Sequence, residues 1–181
     1  MTWKTHVAIG ANALWILPLF GPLDSSILIL LPVAAIASLL PDIDGKSSKI
    51  HYIGGGILGI FNGVFYGKYF HHRGLMHSVF VTVLWFGLLW LIFRQSLPTL
   101  PYVFALSYAS HWLIDGLNTG VGYLYPFVYI RFALVPKAFR SKVGSPVDTI
   151  LMFFGLAGVL LFFFLFKDQL IGGGLPIIQN F

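Results

Sequence analysis

Residues 100–117 read LPYVFALSYASHWLIDGL. The run has the length and apolarity of a bilayer span, though at about 17–18 residues it is near the lower limit. Yet it carries Ser107, Ser110, His111 and Asp115. An imidazole and a carboxylate facing hydrocarbon are costly unless they are paired or functional. The segment therefore predicts a helix whose polar face looks at other protein or a wet cavity, so it needs neighbours. At i and i+4, His111 and Asp115 fall one above the other on a single helix face.

The neighbours are supplied by four further runs of similar length, at 6–23, 25–41, 76–93 and 149–166. The last, TILMFFGLAGVLLFFFLF, is apolar all round and is expected to face lipid. A sixth stretch, IHYIGGGILGIFNGVFYG at 50–67, holds six glycines and an asparagine. That composition makes a weak helix, so it reads as a re-entrant or interfacial segment rather than a span. The N-terminal MTWKTHVAIGANALWILPLFG is basic then apolar, like a signal peptide. It lacks a clear small-x-small cleavage site and carries His6 and Asn12, and so reads as a retained first helix. The expected fold is all-α, one domain over 1–181: a polytopic membrane bundle of about five transmembrane helices plus the Gly-rich segment.

Composition agrees. The chain is 57% hydrophobic and 9% charged, which excludes an ordinary soluble domain. It has no cysteine, excluding disulfides, thiolate zinc sites and a thiol nucleophile. Six Asp, no Glu and eleven Lys plus Arg give a net charge of +5. In a membrane chain this points to anionic, phosphate-bearing lipids as partners rather than nucleic acid, for which no basic stripe or motif is present. If 50–67 does not cross, Lys4, Lys46, Lys49, Lys68, Arg73, Arg131, Lys137, Arg140 and Lys142 share one face, and only Arg94 and Lys167 lie on the other. The positive-inside rule then makes the richer face cytoplasmic, in an inner or plasma membrane. The Tyr-, Phe- and Pro-rich 118–148 segment reads as an interfacial collar on that face.

The same parity collects titratable groups. PDID (41–44) places Asp42 and Asp44 just after a span, HHRGLMHS (71–78) offers His72 and His77 around a Gly-containing turn, His6 opens the first span and Asp148 the last. Each has an ordinary explanation taken singly. An interfacial His such as His51 or His71 is commonly a bystander, PDID can be a helix stop, Asp148 in SPVD can cap its helix, and HxxxD can be a hydrogen-bonded pair. Together, His6, Asp42, Asp44, His72, His77, His111, Asp115 and Asp148 at one depth read as a metal site. Imidazole and carboxylate without sulfur suit Zn, with Mn or Fe as alternatives. Eight candidates exceed the needs of one ion and argue for two or three. Paired metals suit phosphoester hydrolysis, with Asp44, His77 and Arg73 as catalytic candidates, Arg73 holding phosphate. Lys137, Arg140 and Lys142 would draw an anionic headgroup to the site. The competing readings are a non-catalytic metal transporter or sensor, and a di-iron lipid oxidase.

The order TH, LPDID, HRGLMHS, SHWLIDGLNTGVG and YPF resembles the YdjM-like inner-membrane metal-dependent hydrolases, over about residues 5–150. The resemblance implies metal-site roles for His6, Asp42, Asp44, His72, His77, His111 and Asp115. Relatives often have Glu where this chain has the shorter Asp148. The ligand order is also similar, more distantly, to zinc-dependent phospholipase C and the P1-type nucleases, which implies a phosphoester substrate.

Overall fold

The computed structural model describes residues 1–44 and 73–171. The Gly-rich stretch 50–67, with His51, His71, His72, Lys46, Lys49 and Lys68, lies outside the described residues, as does the side chain of Asp44. Among the described residues the architecture is all-helical: α1 (Trp3–Gly10), α2 (Ile27–Ala37), α3 (Val79–Phe93), α4 (Leu100–Gly116) and α5 (Pro146–Ile171).

The first predicted span is α1 running on into a 3-10 helix, Ala11–Phe20, with Pro18 inside it. Proline has no N–H to donate and its ring crowds the preceding turn, so a regular α ladder fails there. The α part rises about 12 Å and the 3-10 part about 20 Å. Among the described residues one helix, Pro146–Leu170 within α5, is long and apolar enough by itself to cross a membrane. α2 and α3 are apolar but shorter.

Contacts fix the helix directions. Thr5 meets Asp148, Asn12 Nδ2 donates to the Gly155 carbonyl and Trp15 Nε1 to that of Gly158, each pair 143 residues apart, so α1 and α5 run parallel in constant register. Gly155 permits this approach, because a Cβ there would stand 2.8 Å from the Ala8 carbonyl carbon. Against α4, α1 is antiparallel: the Ser107 hydroxyl donates to the Gly10 carbonyl, and the His6 ring stacks on His111. α3 is also antiparallel to α4, with Trp112 Nε1 donating to Thr82 and Phe86 set edge-on to Tyr102. The helices therefore alternate in direction, and the start of α1, end of α2, start of α3, end of α4 and start of α5 share one end of the bundle.

α4 is the central rod. Val103, Phe104, Ser107, Tyr108, His111, Trp112 and Asp115 follow its inward stripe and are buried. One apolar cluster (Leu14, Leu17, Ile27, Leu30, Val103, Phe162) fills the bundle away from the polar end. A second, with Ala37, Val81, Phe104, Tyr108 and Trp112, lies beside that end. The outer surfaces are not those of a water-soluble bundle. α3 is apolar along its length yet buries only Val81 and Thr82, and the apolar window of α5 is only 11% buried. Exposed apolar area on this scale marks a surface that meets lipid or another protein.

The predicted collar is irregular backbone fastened over the end of α4. Val121 pairs with Phe132, Leu134 N donates to the Gly116 carbonyl and Ser141 N to that of Leu117.

Candidate metal centre

Asp42 comes from the 3-10 turn Leu40–Asp44 that follows α2, and His77 from the 3-10 turn Leu75–His77 that precedes α3. Ser78 then caps α3, its hydroxyl accepting from Val81 N. His111 and Asp115 project from the last turns of α4, as their spacing predicts. One ligand atom from each of Asp42, His77, His111 and Asp115 lies within 4.8 Å of all the others.

The distances within this group are those of a coordination polyhedron rather than of tight ion pairs. Asp42 Oδ1 is 3.4 Å from His111 Nε2 and 3.6 Å from His77 Nε2, and His77 Nε2 is 3.9 Å from Asp115 Oδ2. Ligand atoms about 2.1 Å from one ion stand about 3.4 Å apart along a tetrahedral edge. His111 supplies a second indication. Its Nδ1 is 2.6 Å from the Ser38 carbonyl, which can only accept, so Nδ1 carries the proton. In the neutral ring that leaves Nε2 as the lone-pair atom open to a metal, and this buried nitrogen has no aligned hydrogen bond among the described residues. A backbone carbonyl that fixes the tautomer of a ligating histidine is the usual outer-shell arrangement around a metal. The four residues fit a divalent ion.

Burial sets the access. His77, His111 and Asp115 are closed off, whereas the Asp42 side chain is 24% exposed and that of Arg73 21%. The mouth therefore lies at these two residues. Burial pushes the Asp42 carboxyl up, but the His111 and His77 imidazoles beside it hold it well below the usual carboxylate range.

Asp115 is shared. Its Oδ2 accepts from Arg73 Nε at 2.7 Å, while Oδ1 accepts from the Met1 amine at 3.0 Å and faces His6 Nε2 at 3.4 Å. His6 thus stands on the far side of Asp115 from His77, its ring 3.8 Å from that of His111. It adjoins the four-residue group without belonging to it.

Asp148 is engaged elsewhere. Its carboxylate accepts from Thr2 N, from the Thr5 hydroxyl and from Gly144 N, stapling the start of α5 to the start of α1. The cap of α5 is instead Ser145, whose hydroxyl accepts from Asp148 N, and the structure does not bring Asp148 into the ligand group. Lys137, Arg140 and Lys142 are exposed on the collar, with Arg140 Nε donating to the Val135 carbonyl. His72 falls outside the described residues, and Asp44 is described only as the end of its turn.

Sequence reasoning missed two partners. Ser38 acts through its backbone carbonyl, which no side-chain pattern signals. Thr119 accepts from Arg73 Nη1 at 2.7 Å, and only its place just after the His111–Asp115 motif hinted at a role. Tyr123 adds a buried hydroxyl without a hydrogen bond among the described residues, set against Gly116. Burial first, then the Asp115 charge, pushes its phenol up to about 12.

With this geometry in view, similarity to known proteins gives the lineage. The description "YdjM inner membrane protein" matches residues 1–170. The chain belongs to the YdjM inner membrane protein family. Among relatives, Inner membrane protein YbcI of Escherichia coli strain K12 is 36% identical over 112 residues, 57% of each chain. The chain thus spans little more than half the length of that relative. No solved structure matches. Membership accounts for the lipid-compatible exterior of α3 and α5, and neither protein's name states an activity.

Proposed function

We propose that this chain is an integral membrane metal-dependent hydrolase that cleaves a phosphoester of a lipid or lipid-linked substrate. The observation that carries this reading is the convergence of Asp42, His77, His111 and Asp115 from three separate segments, with His111 Nε2 held as a lone-pair donor. Two or three divalent ions, zinc best suited to this ligand chemistry, would supply Lewis acidity and activated water near neutral pH. Asp42, His77, His111 and Asp115 hold one ion. His6, across Asp115, and the sequence candidates Asp44 and His72 are the donors for others. His77 and Asp44 keep their proposed catalytic roles as ligands at the reacting centre, and Arg73 steadies the phosphate.

A lipid substrate is favoured by the exterior and by a groove. The site lies at one end of the bundle, which a five-crossing topology would set at headgroup depth. A lateral opening of about 560 Å3 between α1, α2 and α5 is lined by Val7, Ala11, Leu31 and Met152. Trp3 and Lys4 stand at its end nearest the site. Five crossings, with the α1 rod as the first, bring every site residue to the face bearing Lys4, Arg73, Arg131, Lys137, Arg140 and Lys142. That face is cytoplasmic by the charge rule. A transporter would instead place ionisable groups near the bilayer midplane in both halves. Among the described residues the buried ionisable groups, His6, His77, His111, Asp115 and Asp148, gather at one end.

The test is metal content per chain after gentle detergent purification, on wild type and on Asp44→Ala, His77→Ala and His111→Ala, followed by release of phosphate or headgroup from phospholipids. Two or three equivalents, lost in the variants together with turnover, support the reading. Full metal loading with no turnover on any phosphate-bearing lipid sinks the hydrolase and leaves a metal-binding membrane protein.

A further inference from the structure

Arg73 has φ +64°, a left-handed conformation that costs most residues strain. The glycine that would bear it freely stands one place later, at φ −96°. Such strain persists where the surroundings over-determine it, and it concentrates at ligand clamps. The surroundings here are explicit. The Arg73 carbonyl accepts from Gly122 N at 3.0 Å, Nε donates to Asp115 Oδ2 and Nη1 to the Thr119 hydroxyl, both at 2.7 Å. The guanidinium is thereby held along two of its three nitrogens, and Nη2 makes no hydrogen bond to a described residue. It sits at the mouth, in a side chain 21% exposed, beside a ligand group that is otherwise closed except at Asp42.

We propose that Thr119 is a positioning residue which, with Asp115, locks Arg73 as a fixed anion-receiving arm at the mouth of the four-residue group, and that Nη2 is the atom that meets a phosphoryl oxygen. The inference rests on the phosphoester reading and sharpens it. With Nε–H and one Nη1–H engaged, three N–H groups remain, one on Nη1 and both on Nη2, so the outer edge of the fork stays open to a phosphoryl group. The phosphate must approach over Asp42, from the open side. A merely charge-neutralising Arg73 would need only the bond to Asp115, so the Thr119 contact separates the two roles.

The experiment is titration of inorganic phosphate into the full-length chain in detergent, with and without zinc, by calorimetry or phosphorus NMR. Metal content and unfolding temperature are measured alongside, on wild type, Arg73→Gly, Arg73→Lys, Thr119→Val and Thr119→Ser. Arg73→Gly tolerates the positive φ, so the turn keeps its shape; it should retain metal and weaken phosphate binding about 100-fold. Arg73→Lys keeps the charge but loses the fixed fork, and should fall between. Thr119→Val should weaken binding about tenfold at unchanged metal content, with Thr119→Ser restoring it. Phosphate affinity indifferent to Thr119→Val, or Arg73→Gly losing metal and phosphate together, overturns the assignment. If the chain takes up no zinc, the metal reading fails separately. The metal-free titration then decides the arm: dependence on both residues sustains it, and indifference to either refutes it.

Discussion

Replacing Asp148 with Asn separates a staple from a ligand. The side chain is 1% exposed and accepts from Thr2 N at 3.0 Å, from Gly144 N at 2.8 Å and from the Thr5 hydroxyl. Asn keeps the volume and, in the place of Oδ1, one acceptor oxygen, so the Thr5 bond and the longer 3.3 Å bond from Thr2 N survive as neutral bonds while the 3.0 Å contact to Oδ2 is lost. Its amide nitrogen then faces Gly144 N–H, donor against donor. Hydrogen bonds to a charged group contribute about 1.5–3 kcal/mol each, so one lost and two weakened cost about 3 kcal/mol. For a chain of this size that lowers the unfolding midpoint by about 6–12 °C. Thermal unfolding in detergent reads the shift, and elemental analysis on the same sample reads the metal. A lower midpoint at unchanged metal content is the expected result. An unmoved midpoint with one equivalent of metal lost would refute the staple and return Asp148 to the ligand set.

Other outcomes follow from the packing and the site. Gly155→Leu must place its Cβ 2.8 Å from the Ala8 backbone, so α5 should part from α1 at a cost of about 3 kcal/mol or more, visible as a lower unfolding midpoint. Tyr123→Phe removes a buried hydroxyl with no hydrogen bond among the described residues and should stabilise the fold by about 1 kcal/mol; destabilisation would reveal a partner for that hydroxyl. Because its folded value is depressed, Asp42 contributes stability that is complete above the ordinary carboxylate value near 3.9 and is lost only as pH falls below it. Acidification from pH 8 to pH 5 should strip metal by protonating imidazoles, while Asp42 stays ionised. Metal retained at pH 5 and released only near pH 3 would make carboxylates the deciding ligands.

Much of the molecule is legible in the sequence because local chemistry suffices for it. Long apolar runs favour helices, so the all-helical class can be read directly. The i, i+4 spacing of His111 and Asp115 fixes their common face before any neighbour is known, because helix geometry is local. That Asp42 and His77 join them rested on a parity argument, and the shared end of α1, α2, α3, α4 and α5 agrees with it. Tertiary structure decided what depends on contacts between distant segments. It tied the Asp148 carboxylate to the start of α1 and to the turn before α5, through amides and a hydroxyl that lie there. It divided the first span at Gly10 into an α part and a 3-10 part that contains Pro18. It also placed the Ser38 carbonyl on His111 and the Thr119 hydroxyl on Arg73. A backbone carbonyl carries no residue-type signature, and a threonine hydroxyl has too many ordinary uses to give one, so only the packed helices could assign these partners.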